Sequence, residues 1–299
     1  MHDSLILKKY HGLGNDYLVL DPNKNEIKLQ ERHIVRLCRR NIGVGADGIL
    51  YGPLMRDGKI YVQIFNSDGS ETERSGNGVR IFAKYLLDEG YVKKEVFTLS
   101  TKSGDVTVDF LNDDGSRMRV NMGKAKFAGG VLRTYRQKEA QTEEKEQKVR
   151  VFYSEDEIVN DPLIFHGQLY NATCVSVGNP NCVIMMEEVN AGKAKELGPY
   201  VENASYFPNR INMQLCHVID RNHIQIEIYE RGAGYTLACG TGACAAASAA
   251  YRLGLVDGSV HVKMPGGELL IEIMEDMTVY LTGDVEKIGT FMLAENFFA

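Results

Sequence analysis

The chain has 299 residues, 44% of them hydrophobic, which is enough for two domains with cores of their own and excludes a disordered chain. Against 40 Asp and Glu stand 34 Lys and Arg, a net charge of −6 with no basic run, so a nucleic-acid-binding surface is not expected. No run of about 18 apolar residues could span a bilayer, the opening "MHDSLILKKYHG" has no signal-peptide pattern, and the six cysteines form no C-x-x-C pair, so a cytoplasmic protein with reduced thiols is expected.

In chain order, "LILKKYHGLGNDYLVLD" alternates in the strand manner, and a helix is expected over about 28–40. "GVGADG" (43–48) fits the dinucleotide pattern G-x-G-x-x-G by letter. It follows a helix-like run and precedes the strand-like "ILYGPL", the reverse of strand–turn–helix order, so a tight turn is expected and no nucleotide. "KIYVQIF", "VFTLSTKSGDVTVDF" and "MRVNMG" read as strands around a helix at 76–89. The charged run "RTYRQKEAQTEEKEQKVRV" has no apolar face and reads as a solvated connector or hairpin. A helix at 190–199 follows, then strands in "IQIEIYE", "HVKMPGGELLIEIME" and "MTVYLTGD". Between them "GACAAASAAYRLG" is small and apolar nearly all round, so a helix at 240–253 should be buried on every side, Cys244 included.

The chain repeats itself at an offset of 164 residues. Ser75-Gly76-Asn77-Gly78 falls on Cys239-Gly240-Thr241-Gly242, and Ala83, Gly90 and Val92 fall on Ala247, Gly254 and Val256. "HGLGNDYLVL" (11–20) falls on "VSVGNPNCVI" (175–184), which sets Gly14-Asn15 on Gly178-Asn179. Two halves of like topology follow. The fold class is α+β with mixed or antiparallel sheets, each half a strand layer wrapped around a central helix.

A small polar residue before Gly-x-Gly at a helix start leaves backbone N–H groups unpaired at the positive end of the helix dipole, which suits an anion. A cysteine so placed has its thiolate favoured. Two such corners, at Ser75 and Cys239, would hold a carboxylate between two acid/base groups, so that a proton leaves one face of a carbon and returns to the other. That chemistry inverts a stereocentre without a cofactor. No metal motif is present.

At these residues the sequence resembles the diaminopimelate epimerase family of cofactor-independent isomerases. "KYHGLGNDYLVLD", "GVGADGIL", "FNSDGSETERSGNGVR", "VSVGNPNCVI", "FPNRINMQ" and "YERGAGYTLACGTGACA" carry the resemblance in order, across nearly the whole chain. It implies two pseudo-symmetric domains, residues 1–125 with a returning strand at about 287–299, and residues 126–286. The implied activity is amino-acid epimerisation in a site between them, with conversion of LL- to meso-diaminopimelate in lysine and peptidoglycan precursor synthesis, and a homodimer. Asn15, Asn66, Asn179, Asn212 and Arg231 match substrate-binding positions, and Gly76, Asn77, Gly240 and Thr241 match the cradle of the α-carboxylate. Cys239 matches one catalytic thiol, with Glu230 as its assistant.

Two departures fall on the opposite face of the reaction. Ser75 stands where the family has its other thiol, and Asn181 where the family's "GNPH" has histidine. A hydroxyl is far less acidic than a thiol and asparagine takes no proton from it. Four readings remain open: a substitution at position 75 made to trap substrate, which leaves Asn181 unexplained; an epimerase in which Ser75 works through a water; a relative with another amino acid or one-base chemistry; and an inactive amino-acid-binding or partner-binding homologue.

Overall fold

The computed structural model describes residues 5–72, 75–127, 135–138, 149–152 and 157–298. The chain divides into two compact units: one takes Met1–Met122, Ala238–Gly240 and Tyr280–Ala299, the other Gly123–Leu237 and Thr241–Val279.

The first unit runs β1 (Ile6–Gly12), β2 (Asn15–Leu20), α1 (Glu31–Cys38), β3 (Gly48–Arg56), β4 (Lys59–Asn66), β5 (Glu71–Thr72), α2 (Gly76–Asp88), β6 (Phe97–Thr101), β7 (Gly104–Phe110) and β8 (Arg117–Lys124). β1 and β2 form a hairpin closed at Gly12 and Asn15, because Leu13 and Gly14 both adopt positive φ and so match the strand twist. β2 pairs parallel with β3, β3 antiparallel with β4, β4 parallel with β6, and β6, β7 and β8 antiparallel in turn. Alternation in these strands turns Leu7, Leu18, Leu20 and Ile49 inward, where they meet Ile34 and Leu37 of α1. α2 packs on β1, β2 and β3 and buries Val79, Ile81, Phe82 and Leu86. Each such side chain removed from water contributes about 1.5–3 kcal/mol before chain entropy is subtracted.

Next come β9 (Tyr135–Lys138) and β10 (Val149–Phe152), an antiparallel pair drawn from the charged run, whose intervening residues 139–148 lie outside the described residues. The second half of the chain adds β11 (Asp161–Phe165) and then repeats the order of the first with β12 (Gln168–Ser176), β13 (Pro180–Met185), α3 (Ala191–Glu202), β14 (Asn212–Asp220), β15 (His223–Glu230), β16 (Gly234–Thr236), α4 (Gly240–Arg252), β17 (Ser259–Met264), β18 (Gly267–Ile273) and β19 (Thr278–Asp284), whose residues from Tyr280 on belong to the first unit. β20 (Glu286–Met292) pairs antiparallel with β1.

The 164-residue offset holds at the level of strand register. Tyr17 faces Gly48 in the first unit and Asn181 faces Asn212 in the second, both across parallel pairs. Ile49 faces Phe65, and Met213 faces Tyr229, both across antiparallel pairs. The two halves are therefore one topology used twice. α4 meets the expectation for its composition: Ala243, Cys244, Ala245, Ala246, Ala247, Ser248, Ala249 and Ala250 are all fully buried. Small side chains on every face let a surrounding layer approach the helix backbone closely.

Candidate active site

Ser75 is the N-cap of α2, in extended conformation, and its Oγ accepts a hydrogen bond from Gly78 N at 3.0 Å. That cap satisfies one of the leading amides that lack an intrahelical acceptor, and the Val79 N to Ser75 O bond begins the regular helical series. The amides of Gly76 and Asn77 have no acceptor within the helix and carry its positive end.

Asn77 is buried, and three contacts fix its amide and neighbourhood. Its Nδ2 donates to Asn15 Oδ1 at 3.1 Å, and its Oδ1 accepts from Arg80 Nη2 at 2.7 Å. Arg80, fully buried one turn along the helix, also donates from Nη1 to Gly76 O at 3.2 Å. Asn15 in turn donates to Asp47 Oδ2 at 2.9 Å. Behind it Asp16 receives Arg40 through both nitrogens of the guanidinium fork, at 3.1 and 2.8 Å, and Lys9 at 2.8 Å. Burial works to raise the Asp16 carboxyl, yet these hydrogen bonds and charges hold it below the usual carboxylate range. Asn66 lies at the end of β4, directly opposite Gly48, and donates to Ser70 Oγ at 3.0 Å. The structure thus links Asn15, Asn77 and the start of α2, while the Asn66 side chain closes the turn that follows β4 by bonding to Ser70.

Cys239 precedes α4 as Ser75 precedes α2, and it is 6% exposed. The segment Ala238–Gly240 belongs to the first unit, so both tetrad heads lie in one compact body. Within that body, a β-carbon added to Gly76 would stand 3.0 Å from the Cα of Gly240, and each glycine also faces Leu281. Glycine is required at both places because backbone meets backbone there.

The remaining expected residues belong to the second unit. Asn179 Nδ2 donates to Thr241 Oγ1 at 3.0 Å, the counterpart at offset 164 of the Asn15–Asn77 bond. Asn212 donates from Nδ2 to Pro180 O and accepts the Arg231 N–H, both at 2.9 Å, which ties Arg231 to the end of β14. Arg231 also donates to Asn209 O at 3.1 Å. Glu230 accepts from Thr236 Oγ1 at 2.7 Å across the β15–β16 pair. Asn181 is fully buried, donates from Nδ2 to Asn179 O and Oδ1, and accepts at Oδ1 from Gln214 Nε2 at 3.1 Å. Its Nδ2 holds the Asn179 loop while its Oδ1 is held from β14 by Gln214.

Sequence reasoning missed Tyr17, whose hydroxyl donates to Ser75 Oγ at 3.2 Å, and Arg80, Asp47 and Gln214, which orient the expected residues. The signal for Tyr17 was present: the repeat sets it at the place of Asn181. A surface cavity of about 560 Å³ lined by Gln30, Arg32, Val35, Arg36 and Arg39 among others contains none of the expected site residues. Among the described residues, no three potential ligands gather to hold a metal, and no helix is long and apolar enough to cross a membrane.

A hydroxyl and a thiol each head a helix in a duplicated mixed-sheet topology, a topology that solved racemases and epimerases share. The fold agrees: a hydroxyproline epimerase from Agrobacterium vitis superposes with a TM-score of 0.68 at 13% identity, over 98% of this chain and 92% of that one. The sequence profile of diaminopimelate epimerase matches residues 7–128 and 173–288. Diaminopimelate epimerase 2 of Nostoc sp. is 40% identical over 292 residues, covering 97% of this chain and 96% of that one. Diaminopimelate epimerase of Nostoc punctiforme is 38% identical over 287 residues, covering 94% and 97%. The chain belongs to the diaminopimelate epimerase family and is an isomerase of the epimerase type.

Proposed function

We propose that this protein epimerises diaminopimelate between its LL and meso forms without a cofactor, with Cys239 and Ser75 as the acid/base groups. The observation that carries the assignment of those two residues is their equivalent placement: each heads a helix, and the glycines that follow them approach so closely within one unit that a β-carbon on Gly76 would stand 3.0 Å from the Gly240 Cα. In this reading the Cys239 thiolate takes the α-hydrogen and Ser75 returns a proton to the opposite face. Glu230, hydrogen-bonded to Thr236, assists Cys239. The leading amides of α2 at Gly76 and Asn77, and of α4 at Gly240 and Thr241, receive the α-carboxylate. Asn15, Asn66, Asn179, Asn212 and Arg231 bind the remainder of the amino acid.

Asn181 has no acid/base role in this reading. Its amide, engaged with Asn179 and Gln214, supports the loop that carries Asn179. The cytoplasm is the setting that suits six cysteines with no disulfide among them, and a homodimer is the assembly the family resemblance implies.

A second reading is favoured by one observation, the serine in place of the expected thiol: a relative with another amino-acid substrate or one-base chemistry, or a binding protein. Proton NMR in D₂O separates the readings. The expected result is α-hydrogen exchange with inversion for LL- and meso-diaminopimelate. Exchange with retention, or exchange only of other amino acids, would establish the second reading, and binding without exchange would leave an inactive homologue.

A further inference from the structure

The Ser75 hydroxyl is not free to turn as it pleases. Its Oγ accepts from Gly78 N at 3.0 Å and from the Tyr17 hydroxyl at 3.2 Å, and a hydroxyl has two acceptor lone pairs. With both occupied, its own hydrogen is left to donate elsewhere. Ser75 therefore presents a proton rather than a lone pair.

Tyr17 reaches Ser75 because the strand opposite makes room. Gly48 faces Tyr17 in the β2–β3 register, and a β-carbon there would stand 2.6 Å from the Tyr17 ring and 2.3 Å from Phe65 O. The equivalent pair in the second unit is Asn181 and Asn212, with a side chain on both strands, and there Asn181 turns to Asn179 and Gln214 instead. One position of the duplicated topology thus serves two ends: loop support in the second unit, contact with the acid/base hydroxyl in the first.

We propose that Tyr17 is a positioning residue that makes Ser75 a working acid, holding its hydroxyl as a donor and replacing the proton that Ser75 gives up. The proposal rests on the epimerase reading above. In it, the Cys239 thiolate takes the α-hydrogen as the Cα–H bond breaks, leaving the electron pair on the substrate carbon. That carbon forms a new bond on its other face to the Ser75 hydroxyl hydrogen. As the Ser75 O–H bond breaks, the Tyr17 O–H bond breaks too, its proton passes to Ser75 Oγ, and the negative charge ends on the phenolate. In sum one proton has moved from Tyr17 to Cys239, and exchange of both groups with water restores the start. A phenol, with an ordinary pKa of about 10, carries that charge far more readily than a serine alkoxide would. A thiol at position 75, ordinarily near 8.5, would need no such help.

The test is a double-mutant cycle of the whole protein, native, Tyr17→Phe, Ser75→Cys and the pair, assayed by NMR for inversion of LL-diaminopimelate. Phenylalanine keeps the ring beside Gly48, and thermal midpoints check that each variant is folded. Tyr17→Phe is expected to lower kcat by about 10²-fold or more in the native background with KM changed less than about threefold, and to lower it less than about threefold in the Ser75→Cys background. Equal losses in both backgrounds, or none in the native one, overturn the proposal. If native protein is inactive while Ser75→Cys is active, the relay is overturned and the family activity of the scaffold stands. If no variant exchanges the α-hydrogen of any diaminopimelate isomer, the epimerase reading falls and the relay with it.

Discussion

Gly76 and Gly240 meet backbone to backbone: a β-carbon built on Gly240 would stand 2.9 Å from the Cα of Gly76. Neither a rotamer change nor a flexible side chain can relieve that contact. Gly240→Ala is therefore expected to cost about 1–3 kcal/mol by overpacking. It should also lower epimerisation by at least about 10²-fold, since a shift of one ångström at the head of a helix misplaces both donor amides and acid/base groups. Urea unfolding and NMR turnover check the two effects separately, and unchanged values in both would show that the contact is dispensable.

The six thiols should differ sharply in reactivity. Burial, with Asp16 and Asp47 nearby, pushes Cys38 up to about 12, and burial alone pushes Cys216 up to about 12. A hydrogen bond with Cys174, then burial, raises Cys182. At pH 7 a thiol near 12 is ionised in roughly one molecule in 10⁵, and only the thiolate reacts. Cys239 stands at a helix start, where the dipole favours a thiolate. Brief iodoacetamide treatment followed by peptide mass mapping is expected to label Cys239 and leave Cys38, Cys182 and Cys216 unmodified.

Ser75→Cys should exchange stability for rate. Sulfur is a poor substitute for the Oγ that caps α2 by accepting from Gly78 N, so a loss of about 1 kcal/mol is expected. The thiol supplies a far better acid and base, and kcat is expected to rise by about 10-fold or more. Thermal unfolding and steady-state kinetics on the one variant test both signs, and a slower variant would show that Ser75 is already matched to its surroundings.

Acid should weaken the first unit through Asp16. Its carboxyl is held below its ordinary value by Arg40 and Lys9 against the opposing effect of burial. A depressed folded-state value means that the stabilisation is complete above the unfolded value, about 3.9, and is lost as pH falls through the folded one. Asp16→Asn should therefore be less stable than native protein at pH 7, with the difference shrinking below about pH 4. A constant difference across that range would place the effect in packing rather than charge.

Much of this architecture is written locally. The α4 run of small residues announced a helix buried all round, and the tetrads headed by Ser75 and Cys239 marked the two helix starts. The repeat at 164 residues foretold that the second half copies the first, and the registers of Tyr17 with Gly48 and Asn181 with Asn212 keep that spacing. The family resemblance rested on the same residues, since the tetrads and the Gly-Asn turns are contiguous strings.

Tertiary structure alone decided what those residues touch. Asn181 read as the vacancy of a base, yet its amide is consumed by Asn179 and by Gln214 from the neighbouring strand. Tyr17 lies within an alternating strand run, 58 residues from Ser75 in sequence, yet it donates to the Ser75 hydroxyl. Gly48 read as the last glycine of a turn, yet it is the space into which the Tyr17 ring fits. The reason is common to all three. Helix caps and periodicity are set within a few residues of chain, whereas a contact across parallel strands depends on a register fixed by the packing of everything between them.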